Sequence, residues 1–238
     1  MATRSDSRRR QPLSRQLVLE TALELSDQGG IDGLTMRKLG QALGVEAMAV
    51  YYHLANKDEV LDGIVDLVFA EIHLPVEGEP WKAEMRQRGI SLYEVLLRHR
   101  WSIGMMEARV NAGPANLRHH DAVIGNLQAA GFSSAMVAHA YSLLDGYIYG
   151  FALTKMSLPF ETPEDIEDVT QRMLEPYPST EYPHLARFVN EHIMRPGYDF
   201  AEEFEYGLDL ILDALEREVD AASRGWRAGW DSNPRPRD

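Results

Sequence analysis

The chain has 238 residues, 45% of them apolar, which is enough to bury a substantial core in one or two domains. It has no cysteine, and that excludes disulfides, thiolate metal sites and a cysteine nucleophile. Net charge is −13 but unevenly spread: residues 1–60 hold eight Lys/Arg against eight Asp/Glu, and the first 15 residues hold five Arg against one Asp. Two readings fit that distribution. Either a basic tip meets phosphates while the remainder stays acidic, or an acidic protein carries a solvated arginine-rich tail. No run of 18 apolar residues exists, so no spanning helix and no membrane partner are expected. Residues 1–15 lack the apolar stretch of a secretory signal, and the expected location is cytoplasmic.

Residues 1–12, with Arg8-Arg9-Arg10, read as a disordered basic arm. Leu13, Leu17, Ala22 and Leu25 then recur at helical spacing, and Gly29-Gly30 closes that helix. Thr35 is a good N-cap for a short helix whose apolar face is Met36, Leu39 and Leu43. Gly44 stops it after two turns, and a third short helix is expected from Glu46 to His53. Asn56 and Glu59 form a start signal for a longer helix, 57–74, which ends near Leu74-Pro75. After the linker Pro75–Pro80, the spacing predicts helices at 81–98, 102–111, 115–130, 133–156, 164–174 and 184–194. Irregular stretches fall at 157–164 and around Pro176, Pro178 and Pro183. A final helix carries the stripe Phe200, Phe204, Leu208, Ile211, Leu212, Leu215 and Val219, and 223–238 reads as a disordered tail. No segment alternates like a strand, so the fold class is all-α.

Two short helices joined by a tight glycine turn form the geometric core of a helix-turn-helix, whose second helix enters the DNA major groove. On that second helix Val50 and Leu54 can anchor, while Ala47, Met48, Tyr51 and Tyr52 can reach. The run Gly33-Leu34-Thr35-Met36-Arg37-Lys38-Leu39-Gly40-Gln41-Ala42-Leu43-Gly44-Val45, continued by Tyr51-Tyr52-His53-Leu54-Ala55-Asn56-Lys57-Asp58-Glu59-Val60-Leu61, resembles the Tet repressor family. More faintly, Glu77-Gly78-Glu79-Pro80-Trp81, His99-Arg100, Gly131-Phe132-Ser133 and the Gly146–Gly150 region resemble the C-terminal part of the Tet repressor subgroup. The resemblance implies a three-helix helix-turn-helix domain at 13–56, a connecting helix at 57–74 and a helical ligand-binding and dimerisation domain at 75–222.

It also implies a role for single residues. Thr35, Arg37 and Lys38 lie on the first motif helix, where the family meets phosphate and base; a plain surface arginine is the other reading of Arg37. Ala47 and Met48 occupy base-facing positions and can touch thymine methyls without donating hydrogen bonds. Tyr51, Tyr52 and His53 fall where the family contacts phosphates, with core packing as the second reading of Tyr52. Lys57 and the amides beside it would grip a phosphate. The implied partners are a double-stranded operator, a second copy of the chain and a small-molecule effector, with no cofactor. The helices at 133–156 and 199–221 are the expected dimer surface, although both also suit an ordinary core.

An effector pocket is expected from the Met- and aromatic-rich body, at His73, Trp101, Met105, Met106, Tyr141, Tyr147, Phe151 and Met173; such residues also fill ordinary cores. No metal site is expected. Where the Tet repressor holds its metal-chelated drug, this chain has Val110-Asn111, Gly146 and Thr154, and His119-His120 reads as a solvated pair. No phosphate loop, His-Glu-x-x-His or Gly-x-Ser-x-Gly is present, so no enzyme is expected. The function that follows is a ligand-responsive regulator, most simply a repressor. A helical protein-interaction domain and a ligand-independent regulator are the alternatives.

Overall fold

The computed structural model describes residues 12–111, 113–160, 163–175 and 180–231. Among these residues it has ten α-helices and no strand. They fall into two compact units, one made of the chain up to Glu71 together with Arg98–His119, the other of Ile72–Leu97 and the residues from His120 on. The arm Arg8–Arg10 lies outside the described residues.

In the first unit α1 (Arg15–Gly33) is capped by the Ser14 hydroxyl, which accepts from the Leu17 amide. Its helical dihedrals break at Gly30, close to where the glycine pair predicts an end. α2 (Met36–Leu43) starts at Thr35, whose hydroxyl accepts from the Lys38 amide, and stops at Gly44. Gly44 adopts φ 68°, ψ 31°, a left-handed conformation that crowds any Cβ, so glycine suits the turn. α3 (Ala47–Tyr51) is one turn long, shorter than the expected 46–53. α4 (Lys57–Ala70) is capped by Asn56, which accepts from the Glu59 amide, while Glu59 reaches back to the Ala55 amide. It ends four residues before the expected 74.

These helices close around Val18, Leu19, Ala22, Leu34, Leu39, Val50, Leu54, Val60, Leu61 and Ile64. Trp101 and Met105 pack against the same core. In this unit α4 and residues 98–119 lie with the helix-turn-helix helices. The helix expected at 102–111 is instead a 3-10 turn, Arg100–Gly104, followed by irregular chain. The physical reason lies in its ties. His99 bridges Asp27 (2.8 Å) and Glu71 (3.2 Å), the Trp101 indole donates to Asp27 (2.8 Å), and Arg109 and Asn111 reach Asp62 (2.5 and 3.1 Å). Side chains bound at four successive places along another surface favour an open path over a helix, and Gly104 weakens the helix further.

In the second unit α5 (Trp81–Arg98) runs to the unit's edge, and α6 (Pro114–Ala129) begins in the first unit and enters the second after His119. α7 (Ser134–Ser157), α8 (Pro163–Leu174), α9 (Pro183–Phe188) with a π-turn at Val189–Ile193, and α10 (Glu202–Asp231) complete it. Phe204, Leu208, Leu212, Leu215 and Val219 of α10 are all buried, as their spacing predicts. Two ion-pair sets join α5 to α10, Lys82 with Asp213 and Glu216, and Arg86 with Glu205 and Asp209.

The expected disorder from 223 is corrected as far as Asp231, where α10 continues; residues 232–238 lie outside the described residues. No proline interrupts this stretch, and its glycines cost only about 1 kcal/mol each within a helix. The solvated reading of His119-His120 is also corrected. His119 is 1% exposed, because α6 turns Asn116, His119, Val123, Asn126 and Leu127 inward at helical spacing.

Gly44→Ala forces a Cβ into the left-handed turn and should destabilise the first unit by about 1–2 kcal/mol in urea unfolding. An unchanged midpoint would show that the turn relaxes.

Candidate functional site

Val50 and Leu54 are 0% and 1% exposed, so α3 is pinned to the core on one side. Its other side stands in solvent: Met48 is 77% exposed, Tyr52 is 90% exposed, and Tyr51 is exposed as well. The core-packing reading of Tyr52 is thereby overturned. Ala47 and His53 are half-buried, and the Tyr52 and His53 rings meet edge to face at 5.9 Å. Thr35, Arg37 and Lys38 are exposed on the first turn of α2, and Lys57 is exposed as the first residue of α4. The nine residues singled out from the sequence thus lie on α2, α3, the turn after α3 and the start of α4. An apolar, aromatic tip flanked by cations is a surface that water covers poorly and phosphates attract.

The eight proposed pocket residues are divided between the two units. Trp101, Met105 and the buried Met106 belong to the first unit, and Met173 of α8 is exposed. His73 lines a surface groove of about 470 Å³ with Ala83, Arg86, Gln87, Ile90, Ser91 and Glu94. Its Nε2 pairs with Glu84 at 2.9 Å. That hydrogen bond, followed by one from the Val76 amide, holds the Glu84 carboxyl below its ordinary range.

Tyr147 and Phe151 do come together, in a cluster with Tyr93, Phe200 and Phe204. Tyr93 and Phe204 stack at 4.1 Å between centroids, and Phe151 and Phe200 stack at 4.9 Å. The Tyr147 hydroxyl donates to the Phe204 carbonyl at 3.0 Å. The Tyr93 hydroxyl is buried without a hydrogen-bond partner, and burial, reinforced by the nearby Asp199 charge, pushes it up to about 12.

Tyr141 joins a polar string that sequence reading missed. Its hydroxyl meets His120 Nδ1 at 2.5 Å, and its ring lies 5.2 Å from the guanidinium of Arg88. Arg88 is 2% exposed and pairs with Asp145 at 2.6 Å. Burial alone would lower the guanidinium; the Asp145 charge and hydrogen bond reverse that and leave it raised. The signal was available. Arg88 sits among Met85, Gly89 and Leu92 on the buried face of α5, and Asp145 lies beside Leu144 and Ile148 on that of α7.

Val110 is 96% exposed, and Gly146 and Thr154 are exposed on α7. None of these side chains offers an imidazole or carboxylate, so they do not fit a metal-chelated drug. Among the described residues no group of three or more His, Asp or Glu is placed to hold a metal ion, and no helix is long and apolar enough to cross a membrane.

Comparison with known proteins brings two family models onto the chain. Residues 18–64 match bacterial regulatory proteins of the tetR family, and residues 74–219 match the tetracyclin repressor-like C-terminal domain. The class D tetracycline repressor protein of Escherichia coli is 31% identical over 216 residues, spanning 88% of this chain and 92% of its own. An HTH-type transcriptional regulator of Saccharopolyspora erythraea is 37% identical over 145 residues, spanning 60% of this chain and 61% of its own. Among solved structures, the Streptomyces coelicolor protein ActR in complex with actinorhodin superposes with a TM-score of 0.70 at 27% identity, covering 88% of this chain and 99% of that one.

The Tyr93 hydroxyl predicts an alkaline limit. Its folded value near 12 lies above the ordinary 10, so the stabilisation is complete below pH 10 and is lost as pH rises toward 12. Tyr93→Phe should flatten the fall in melting temperature across that window. Truncating Asp145 to Ala would strand a buried guanidinium and should cost about 3–5 kcal/mol by denaturant titration.

Proposed function

The chain belongs to the tetR family of bacterial regulatory proteins and is a ligand-responsive, DNA-binding transcriptional repressor; we propose that it grips a palindromic operator as a homodimer in the cytoplasm and releases it when a small apolar or aromatic molecule binds the C-terminal body. The observation that carries this reading is the solvent face of α2 and α3. A helix pinned by Val50 and Leu54 presents Met48, Tyr51 and Tyr52 outward, with Arg37, Lys38 and Lys57 exposed on the adjoining elements. A major groove about 12 Å wide admits one helix with its side chains, and α3 is short enough to enter end-on.

Ala47 and Met48 read thymine methyls and groove shape. Arg37 supplies the one strong hydrogen-bonding reader, a bidentate pair to guanine. Thr35, Tyr51, Tyr52, His53 and Lys57 hold phosphates, with the α4 amides behind Lys57. A single such module makes too few contacts for strong specificity, so two copies must act together.

Two exposed stripes support a surface for pairing. Leu143, Gly146, Gly150 and Leu153 recur at intervals of three and four on α7, and Tyr206 and Leu210 project from α10. Apolar residues left in solvent along both helices suit an isologous four-helix contact, and the two glycines leave room for close approach. The aromatic cluster of Tyr93, Tyr147, Phe151, Phe200 and Phe204 is the part of the body best suited to a planar effector. ActR is seen with actinorhodin, which favours an aromatic effector here as well. Binding acts only through differential affinity for two conformers, one of which holds the paired recognition helices at the spacing of one DNA turn, about 34–36 Å.

Selection from a random duplex pool, followed by gel shifts with actinorhodin and tetracycline, tests the reading. It fails if no inverted repeat emerges. Arg37→Ala should lower affinity for the selected duplex about 5- to 150-fold and relax preference at one base pair. Lys57→Ala should weaken all duplexes alike and reduce the salt slope by about 1. Leu143→Glu combined with Leu210→Glu should sediment as a monomer and lose the cooperative shift; a persistent dimer would place the pairing surface elsewhere.

A further inference from the structure

The tip of α3 carries a thioether. Met48 is 77% exposed, while the opposite side of the helix is held in the core by Val50 and Leu54. The chain has ten methionines and no cysteine, so thioether sulfur is the only sulfur that an oxidant can meet. Exposure separates those sulfurs. Met85 and Met106 are buried, and Met36 and Met105 pack against the core of the first unit. Among the described residues only Met48 and Met173, which is 58% exposed, stand in solvent. Of these two, Met48 alone lies on the proposed DNA-reading face.

Oxidation changes what this side chain can touch. A lone pair of Met48 Sδ attacks one oxygen of hydrogen peroxide, and the O–O bond breaks. The departing oxygen takes the proton from the transferred one and leaves as water, so sulfur loses two electrons and the peroxide gains them. A flexible apolar tip becomes a polar one with a strongly accepting oxygen. Against a thymine methyl that oxygen is desolvated without a donor, and beside phosphates its partial charge has the unfavourable sign. Ala47 offers only a methyl group at the neighbouring base-facing position, so it supplies no hydrogen bond in compensation.

We propose that Met48 is a redox-modification site: a peroxide converts it to the sulfoxide and releases the operator with no small molecule in the C-terminal body. The inference rests on the regulator reading above. Because α3 draws its stability from Val50 and Leu54 on the opposite side, oxidation alters the reading surface and not the fold. Bound DNA covers the sulfur, so the free protein is the form that reacts, and the sulfoxide then keeps it free. Reversal consumes two thiols of a methionine sulfoxide reductase, which become a disulfide, and returns the oxygen as water.

The full chain is treated with hydrogen peroxide, free and with the duplex selected above, and sulfoxide is located by mass spectrometry of its peptides. Duplex at about ten times its Kd leaves roughly a tenth of the protein free, so oxidation of Met48 should slow about tenfold while that of Met173 is unchanged. Free protein oxidised at Met48 should lose about fivefold or more in affinity, the low end for one mismatched base pair. It should keep its melting temperature and regain binding with methionine sulfoxide reductases A and B. Met48→Leu keeps the apolar contact and should bind the duplex alike before and after peroxide, whereas Met173→Leu should stay sensitive. Met48→Gln brings an accepting oxygen to a similar reach and should bind weakly without any oxidant. The proposal is overturned if Met48 oxidises as fast in the complex as in free protein, or if its sulfoxide form binds as tightly as the thioether. It is overturned equally if Met48→Leu fails to bind or is as peroxide-sensitive as wild type. Each of these leaves the repressor reading intact. A wild-type protein that selects no duplex overturns both.

Discussion

A helix of five residues cannot hold itself together in water, because one turn fixes several dihedrals for hardly more than one hydrogen bond. α3 therefore exists only where Val50 and Leu54 enter the core built by α1, α2 and α4. This single dependence explains much of the first unit. Leu39 and Leu34 fill the same interior from α2 and the preceding loop, and Val60, Leu61 and Ile64 fill it from α4. Gly44 bends the chain sharply enough for both motif helices to share one core. Trp101 and Met105 pack on that core too, so a segment far along the chain stabilises the presentation of α3. The exposed face of α3 can then be chosen almost freely, since stability is drawn from the opposite side.

The interior of the second unit shows a different economy. A core of aliphatic and aromatic side chains would be as stable without Arg88 and Asp145, because desolvating a charge pair costs about what the pair returns. What the pair adds is registry. Arg88 must meet Asp145 from α5 to α7 and stack against Tyr141, and Tyr141 must reach His120 on α6. A slipped helix would leave a charge buried alone. The string specifies one arrangement of three helices in a body otherwise held by non-directional packing.

How much of this could be read from the residues differs by element, for physical reasons. The motif from Thr35 to Lys57 was legible because caps, glycine turn and apolar anchors act over a few residues, and each appears where its spacing predicts. The stripe of α10 was legible for the same reason. The segment 98–119 was not. Its path is set by Asp27, Asp62, Asp66 and Glu71, partners far away in sequence, and local propensity favoured a helix at 102–111 that those ties prevent. Pocket residues chosen by type alone scattered between units, since Trp101 and Met105 suit a core as well as a ligand. Arg88 and Asp145 stand as charges on apolar helix faces, but residue type and spacing alone do not distinguish a buried pair from two solvated charges.

Charge and readout chemistry finally bear on each other. Residues 1–60 are neutral in sum, and the whole −13 resides in the rest of the chain. Long-range attraction to DNA is therefore weak, and on the proposed reading affinity comes from short-range phosphate contacts at Lys57 and the flanking hydroxyls, within a Debye length of about 8 Å at physiological ionic strength. As the proposed base readers, Ala47 and Met48 offer van der Waals contact only. A weak electrostatic term and a sparse hydrogen-bond code leave an isolated module barely able to tell its site from other duplex. In the proposed homodimer, discrimination then rests on two modules engaging at once. A homodimer of the proposed kind is easy to release: an effector need only disturb the spacing of the pair, because on that reading neither half holds the operator alone.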